Sequence, residues 1–76
     1  MITVKLYGLL RLDHGIREKQ LEAKTVKDVL DTLADCGIPR RELGGCVILV
    51  NGNSAGKRSR LTDGDTVVLL SPVAGG

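Results

Sequence analysis

A chain of 76 residues and 8.1 kDa allows one small domain and excludes the α/β barrel and the doubly wound dinucleotide-binding sheet, which need far more chain. Eleven Lys and Arg against nine Asp and Glu leave a net charge of +2, and Tyr7 is the only aromatic residue. That balance argues against nucleic acid as a partner, which calls for a clustered basic surface with stacking aromatics.

Ile2, Val4 and Leu6 alternate with Thr3, Lys5 and Tyr7, which is the period of a strand lying within residues 1–12. The turn residues Asp13-His14-Gly15 interrupt it, and residues 16–22 resume as a more polar strand, so the two read as a hairpin. Arg17, Glu18, Lys19 and Gln20 suit a sheet edge, where charge discourages strand addition.

Thr25 opens a helix predicted over residues 26–36, its hydroxyl placed to cap free N–H groups and Asp28 to meet the positive end of the dipole. Val26, Val29, Leu30 and Leu33 form one buried stripe at i, i+3, i+4 and i+7. Gly37 supplies a left-handed stop and Pro39 lies just beyond it. Residues 40–45 read as a connector. Cys46-Val47-Ile48-Leu49-Val50 is a continuous apolar run closed by the turn pair Asn51-Gly52, and residues 53–60 are polar and basic with room for a short edge strand. A second turn, Leu61-Thr62-Asp63-Gly64-Asp65, with Leu61 anchored in the core, precedes the last strand, residues 66–71.

One helix covers one face of such a sheet, yet Cys46–Val50 and Val67–Leu70 are apolar on both. A partner on the far face is the favoured reading, since large exposed apolar patches mark interaction sites. No apolar run approaches the roughly 20 residues of a membrane span, and nothing after Met1 resembles a signal peptide. The expectation is a cytoplasmic domain without a membrane partner.

Catalytic constellations are missing. His14 is the only histidine and sits at a turn tip, and the carboxylates alternate with cations as on a solvated face. Cys36 and Cys46 form no CxxC and have no histidines nearby, so no metal site is expected and buried, inert thiols are the default. Gly44-Gly45 precedes no helix and implies no phosphate cradle, and Lys57-Arg58-Ser59-Arg60 reads as a solvated loop, with partner docking the minority reading.

The tail differs. Gly75-Gly76 closes the sequence, and at about 7% glycine such a pair arises by chance in roughly one chain in 200, which makes it a moderate signal by itself. Pro72 cannot extend a central ladder, so the division is a domain over residues 1–71 and a flexible tail, Pro72-Val73-Ala74-Gly75-Gly76, over 72–76. At about 3.3–3.6 Å per residue that tail reaches roughly 17 Å into a partner. Two terminal glycines remove every side chain from its tip, which then presents a carboxylate that is a poor electrophile until another protein activates it.

Taken with this tail, Met1-Ile2-Thr3-Val4-Lys5-Leu6-Tyr7, the capped helix, Val50-Asn51-Gly52 and Leu61-Thr62-Asp63-Gly64-Asp65 give a whole-chain pattern. It resembles the small, sulfur-carrying subunits of molybdopterin synthase, within the ubiquitin-like β-grasp superfamily. That family usually has two prolines before Val-Ala-Gly-Gly, and here Ser71 takes the place of the first. The resemblance implies an α+β fold, a mixed four- or five-stranded sheet packed on one main helix.

It also implies a cycle. An adenylating enzyme of the ubiquitin-activating type uses ATP on the Gly76 carboxylate, and a persulfide enzyme as sulfur donor then leaves a thiocarboxylate there. Docked in the large subunit of molybdopterin synthase, the chain donates that sulfur to form the molybdopterin dithiolene. Gly76 carries the sulfur, Gly75 allows passage, and Pro72, Val73 and Ala74 position the tail. The chain itself binds no cofactor and serves as a non-catalytic subunit of a sulfurtransferase, with catalytic side chains in the partner. A carrier for thiamine or another thio-metabolite, and a ubiquitin-like protein modifier, stay open as alternatives.

Overall fold

The alternation that opens the chain becomes strand β1 (Ile2–Tyr7), which buries Ile2, Val4 and Leu6 and turns Thr3, Lys5 and Tyr7 to the other face. The structure is a computed structural model and describes residues 1–7 and 18–70. The expected turn at Asp13-His14-Gly15, residues 8–12 and 16–17 of the expected strands, and residues 71–76 lie outside the described residues. Strand β2 (Glu18–Leu21) pairs antiparallel with β1, Ile2 opposite Leu21.

Helix α1 (Val26–Asp35) starts with a full capping box. The Thr25 hydroxyl accepts the Asp28 N–H at 3.3 Å, and the Asp28 carboxylate accepts the Thr25 N–H at 3.1 Å. The next two free donors are met from outside the helix: the Val26 N–H donates to the Ser59 carbonyl and the Lys27 N–H to that of Lys57, both at 3.0 Å. At the far end Cys36 is the cap and Gly37 takes a φ of 108°. The Ile38 N–H then reaches the Leu33 carbonyl at 3.2 Å and the Gly37 N–H that of Ala34 at 3.0 Å, closing the helix with Ile38 buried.

Residues 40–45 are not a plain connector. Helix α2 (Arg40–Gly44) forms there, the Pro39 carbonyl accepting from Glu42 and Leu43, and the Leu43 side chain is buried. Arg40 donates to the Asp31 carboxylate at 2.9 Å and so ties α2 to α1. Strands β3 (Val47–Val50) and β4 (Asn53–Ser54) join through Asn51 and Gly52, whose φ values of 51° and 86° are those of a two-residue type I′ hairpin turn. The expected edge strand is only two residues long. The chain beyond it runs back over α1, where Arg60 bridges to Thr25.

Strand β5 (Thr66–Leu70) inserts between β1 and β3, giving the order β2-β1-β5-β3-β4. Its pairing with β1 is parallel, Val4 opposite Val67 and Leu6 opposite Leu69; the others are antiparallel. A parallel pair needs a crossover, and the segment carrying α1 supplies it. This five-stranded mixed sheet on one main helix is the ubiquitin-like β-grasp arrangement the resemblance implied.

The stripe Val26, Val29, Leu30 and Leu33 packs on the inner face against Ile2, Val4, Leu6, Ile48, Val67 and Leu69, with Leu61 in the same core. Leu33 is fully buried, so Leu33→Ala should lower unfolding stability by about 2–5 kcal/mol in a urea titration. A loss below about half a kilocalorie would mean that the stripe is not core.

Candidate functional site

The inner face of β5 is closed, since Val67 and Leu69 have no exposed surface. Its other face is open. Leu70 lies beside Tyr7 of β1 and Val47 of β3, and the three are 36, 41 and 54% exposed. Two residues back, Val68 stands between Lys5 and Leu49, all half-buried. Tyr7, Val47, Leu49, Val68 and Leu70 therefore form an apolar patch on the face away from the helix, at the end of the sheet where the chain leaves β5 for residue 71.

The doubly apolar runs predicted such a face but not its members. Which of Val67 and Val68 points outward depends on the register of β5 against β1, and that register puts Val68 outside. Tyr7 joins the patch through the same pairing. The signal for it was present in the alternation of β1, but only the adjacency of β1 and β5 gives it meaning.

The start of β5 is fixed by side chains of the two turns. The Asn51 N–H donates to the Thr66 carbonyl at 2.8 Å and its side-chain oxygen accepts the Thr66 N–H at 3.0 Å. Its amide also donates to Asp65 at 2.9 Å, while Asp65 accepts from the Thr62 N–H at 2.8 Å and the Thr62 hydroxyl at 3.2 Å. The Thr62 N–H and then the Asn51 amide hold the Asp65 carboxyl below its usual range. Asn51 and Asp65 thus fix the start of β5 at Thr66.

The expected site residues Pro72, Val73, Ala74, Gly75 and Gly76 lie outside the described residues; what the structure places is the strand they follow. Of the two cysteines, Cys36 departs from the expected packing and Cys46 packs against the core. Cys36 is exposed rather than packed, because its position as the cap of α1 turns it away from the buried stripe. Cys46 is half-buried, and its thiol donates to the Glu42 carbonyl at 3.2 Å. Burial, with the charge of Glu42 second, raises the pKa of Cys46, which keeps it a thiol and a poor nucleophile at neutral pH. Among the described residues no group of three or more His, Cys, Asp or Glu could hold a metal ion, and no helix is long and apolar enough to cross a membrane.

Comparison with known proteins gives a family match and a set of solved relatives. The chain matches the ThiS family over residues 4–76. No curated protein sequence matches it significantly. A chain of the complex of subunits 1 and 2 of molybdopterin-converting factor from Helicobacter pylori 26695 is 26% identical, with a TM-score of 0.75 over 99% of this chain and 97% of its own. The BexX/CysO complex of Amycolatopsis orientalis offers a match at 26% identity and a TM-score of 0.80, covering 100% of both chains. Small archaeal modifier protein 1 from Methanosarcina acetivorans is 33% identical, with a TM-score of 0.79 over 99% of this chain and 95% of its own.

Proposed function

The chain belongs to the ThiS family and is a ubiquitin-like sulfur carrier, and we propose that the sulfur it carries, as a thiocarboxylate on Gly76, builds the dithiolene of molybdopterin. The observation that supports this most is a juxtaposition. An apolar face fit for docking lies at the end of β5, and six residues later the sequence ends in Gly75-Gly76.

In this reading the Gly76 carboxylate attacks the α-phosphate of ATP in an adenylating enzyme, and pyrophosphate leaves. A donor persulfide then attacks the acyl carbon and AMP leaves. A second thiol of the donor system then attacks the donor's own sulfur in the acyl disulfide: the S–S bond breaks, a disulfide forms between that thiol and the donor, and the thiocarboxylate is left on Gly76. Pro72, Val73 and Ala74 guide the tail into the large synthase subunit, Gly75 and Gly76 pass its narrowest part, and the cyclic pyranopterin precursor accepts the sulfur. The patch of Tyr7, Val47, Leu49, Val68 and Leu70 holds the body of the carrier on that subunit. The cycle runs in the cytoplasm with the catalytic side chains in the partners. Two of the solved relatives were themselves determined in complex with a second protein.

Two features favour second readings. Ser71 stands where the molybdopterin type has the first of two prolines, which leaves room for a thiamine carrier, whose tails commonly lack both, and the 33% identity to a small archaeal modifier protein fits a modifier that joins Gly76 to lysines. Reconstitution separates them. The thiocarboxylate form, mixed with the large synthase subunit and the cyclic precursor, should yield the dithiolene product by mass, with no sulfur delivered to a thiazole synthase. Delivery to the thiazole synthase instead, or lysine conjugates formed in place of either product, would displace the molybdopterin reading.

A further inference from the structure

Three segments far apart in sequence meet on the helix side of the molecule. The Leu61 N–H donates to the Lys24 carbonyl at 2.8 Å, and the loop carbonyls of Lys57 and Ser59 cap the start of α1 at 3.0 Å. Asp31 accepts from Lys27 at 3.2 Å and from Arg40 at 2.9 Å, which draws the start of α2 alongside. These segments carry Lys24, Lys27, Arg40, Arg41, Lys57, Arg58 and Arg60, seven of the nine Lys and Arg among the described residues. A chain of net charge +2 is therefore strongly polarised.

The local carboxylates do not cancel this charge. Asp28 is committed to the Lys24 and Thr25 N–H groups at 3.0 and 3.1 Å. Asp31 lies between Lys27 and Arg40, whose hydrogen bonds, that of Arg40 first, hold its pKa below the usual value. Asp35 at the end of α1 and Glu42 on α2 are the other carboxylates of these segments, so seven cations stand against four. Lys24, Arg41, Lys57, Arg58 and Arg60 form no ion pair among the described residues. The Arg40 guanidinium still has N–H donors beyond the one directed at Asp31.

Within this basic rim is a hollow of about 100 Å³ lined by Leu30, Arg40, Leu43, Gly44 and Lys57. That is well below the roughly 300–1,000 Å³ of a small-molecule site, so its occupant is no larger than a side chain. The floor, Leu30 and Leu43, suits methylene groups, while Arg40 and Lys57 suit a carboxylate at the end of them. Nucleic acid is disfavoured, because the only aromatic residue, Tyr7, lies on the outer sheet face. Gly44 is part of the lining, where a Cβ would meet nothing within 4 Å, and its backbone is not of the kind that requires glycine, so a larger side chain can be placed there.

We propose that this hollow is a socket for one acidic side chain of a partner protein, toward which the basic rim steers an acidic surface. Because the socket lies on the helix side, its occupant leaves the apolar sheet face free, and one carrier can hold two proteins at once. The inference does not depend on the chemistry proposed for Gly76.

The test is a titration of the isotope-labelled full chain, followed by NMR, with a blocked peptide of alternating Glu and Leu. A Gln–Leu peptide and a ten-nucleotide oligothymidine serve as controls. Shifts should centre on Leu30, Arg40, Leu43, Gly44 and Lys57, and binding should weaken at least about tenfold in Lys57→Glu, the loss of one charged partner. Gly44→Leu, which fills the hollow, should abolish it without shifting the sheet-face resonances. The same protein lacking Gly76 should bind unchanged. No shift at millimolar peptide, equal binding of the Gln–Leu peptide, binding unaffected in either variant, or tighter binding of the oligonucleotide at these residues would each overturn the socket.

Discussion

Deleting Gly76, or adding one residue after it, should abolish sulfur loading and leave the unfolding midpoint unchanged. Loading of the intact chain, followed by whole-protein mass, should add about 16 Da as one oxygen is replaced by one sulfur on the activated acyl group. The expectation of unchanged stability follows from the core: every buried apolar residue among the described ones lies between Ile2 and Leu69, so the tail adds little to it. A chain with both Cys36 and Cys46 replaced by Ser should load as well as the original. The raised pKa of Cys46 makes it a poor persulfide carrier, and Cys36 is a single exposed thiol on a helix cap. Should the double-cysteine variant lose its sulfur while the chain lacking Gly76 keeps it, the carrier atom is a cysteine sulfur and the carboxylate chemistry is wrong.

Placing a charge at the centre of the outer sheet face has the second large effect. Val68→Asp should weaken binding to the large synthase subunit by about 2–4 kcal/mol, the range of a central interface residue, when measured by calorimetry. Val68 is half-buried between Lys5 and Leu49, so the carboxylate stays in reach of water and of the Lys5 ammonium in the free protein, and the fold survives. The complex denies it that water. Val67→Asp serves as contrast, because Val67 is completely buried in the inner face and its replacement should unfold the domain. Undiminished binding by a folded Val68→Asp protein would remove the sheet face from the docking surface.

Local periodicity carried the parts of the fold that could be read in advance. Thr25, Asp28 and the stripe through Leu33 lie within three turns of one helix, and Asn51-Gly52 is a turn that two adjacent residues specify by themselves. Helix α2 escaped notice because five residues with one buried side chain, Leu43, show no period. The inside and outside of Val67-Val68-Leu69-Leu70 escaped for a different reason. A run without alternation takes its parity from its neighbours, and those are β1, at the opposite end of the chain, and β3, beyond β4 and a long loop. Val50-Asn51-Gly52 and Leu61–Asp65 signalled a family before they signalled any role; in three dimensions they are the two halves of one hydrogen-bonded lock on Thr66. The tail by itself signalled a carboxylate that another protein must activate, and the expectation of sulfur came only through the resemblance, since Pro72–Gly76 has no side chain able to act.

The central place of β5 has a mechanical consequence. A partner that draws the tail deep into its active site exerts tension on Leu70, and the pull acts along the strand. That tension is shared by two ladders, five residue pairs with β1 and four with β3, all loaded in shear rather than opened one at a time. An edge strand would have only one ladder to resist with and would peel. The tail thus follows one of the strands held by a ladder on each side, as β1 and β3 also are, so under the proposed cycle a pull on the tail is resisted without unravelling the body behind it.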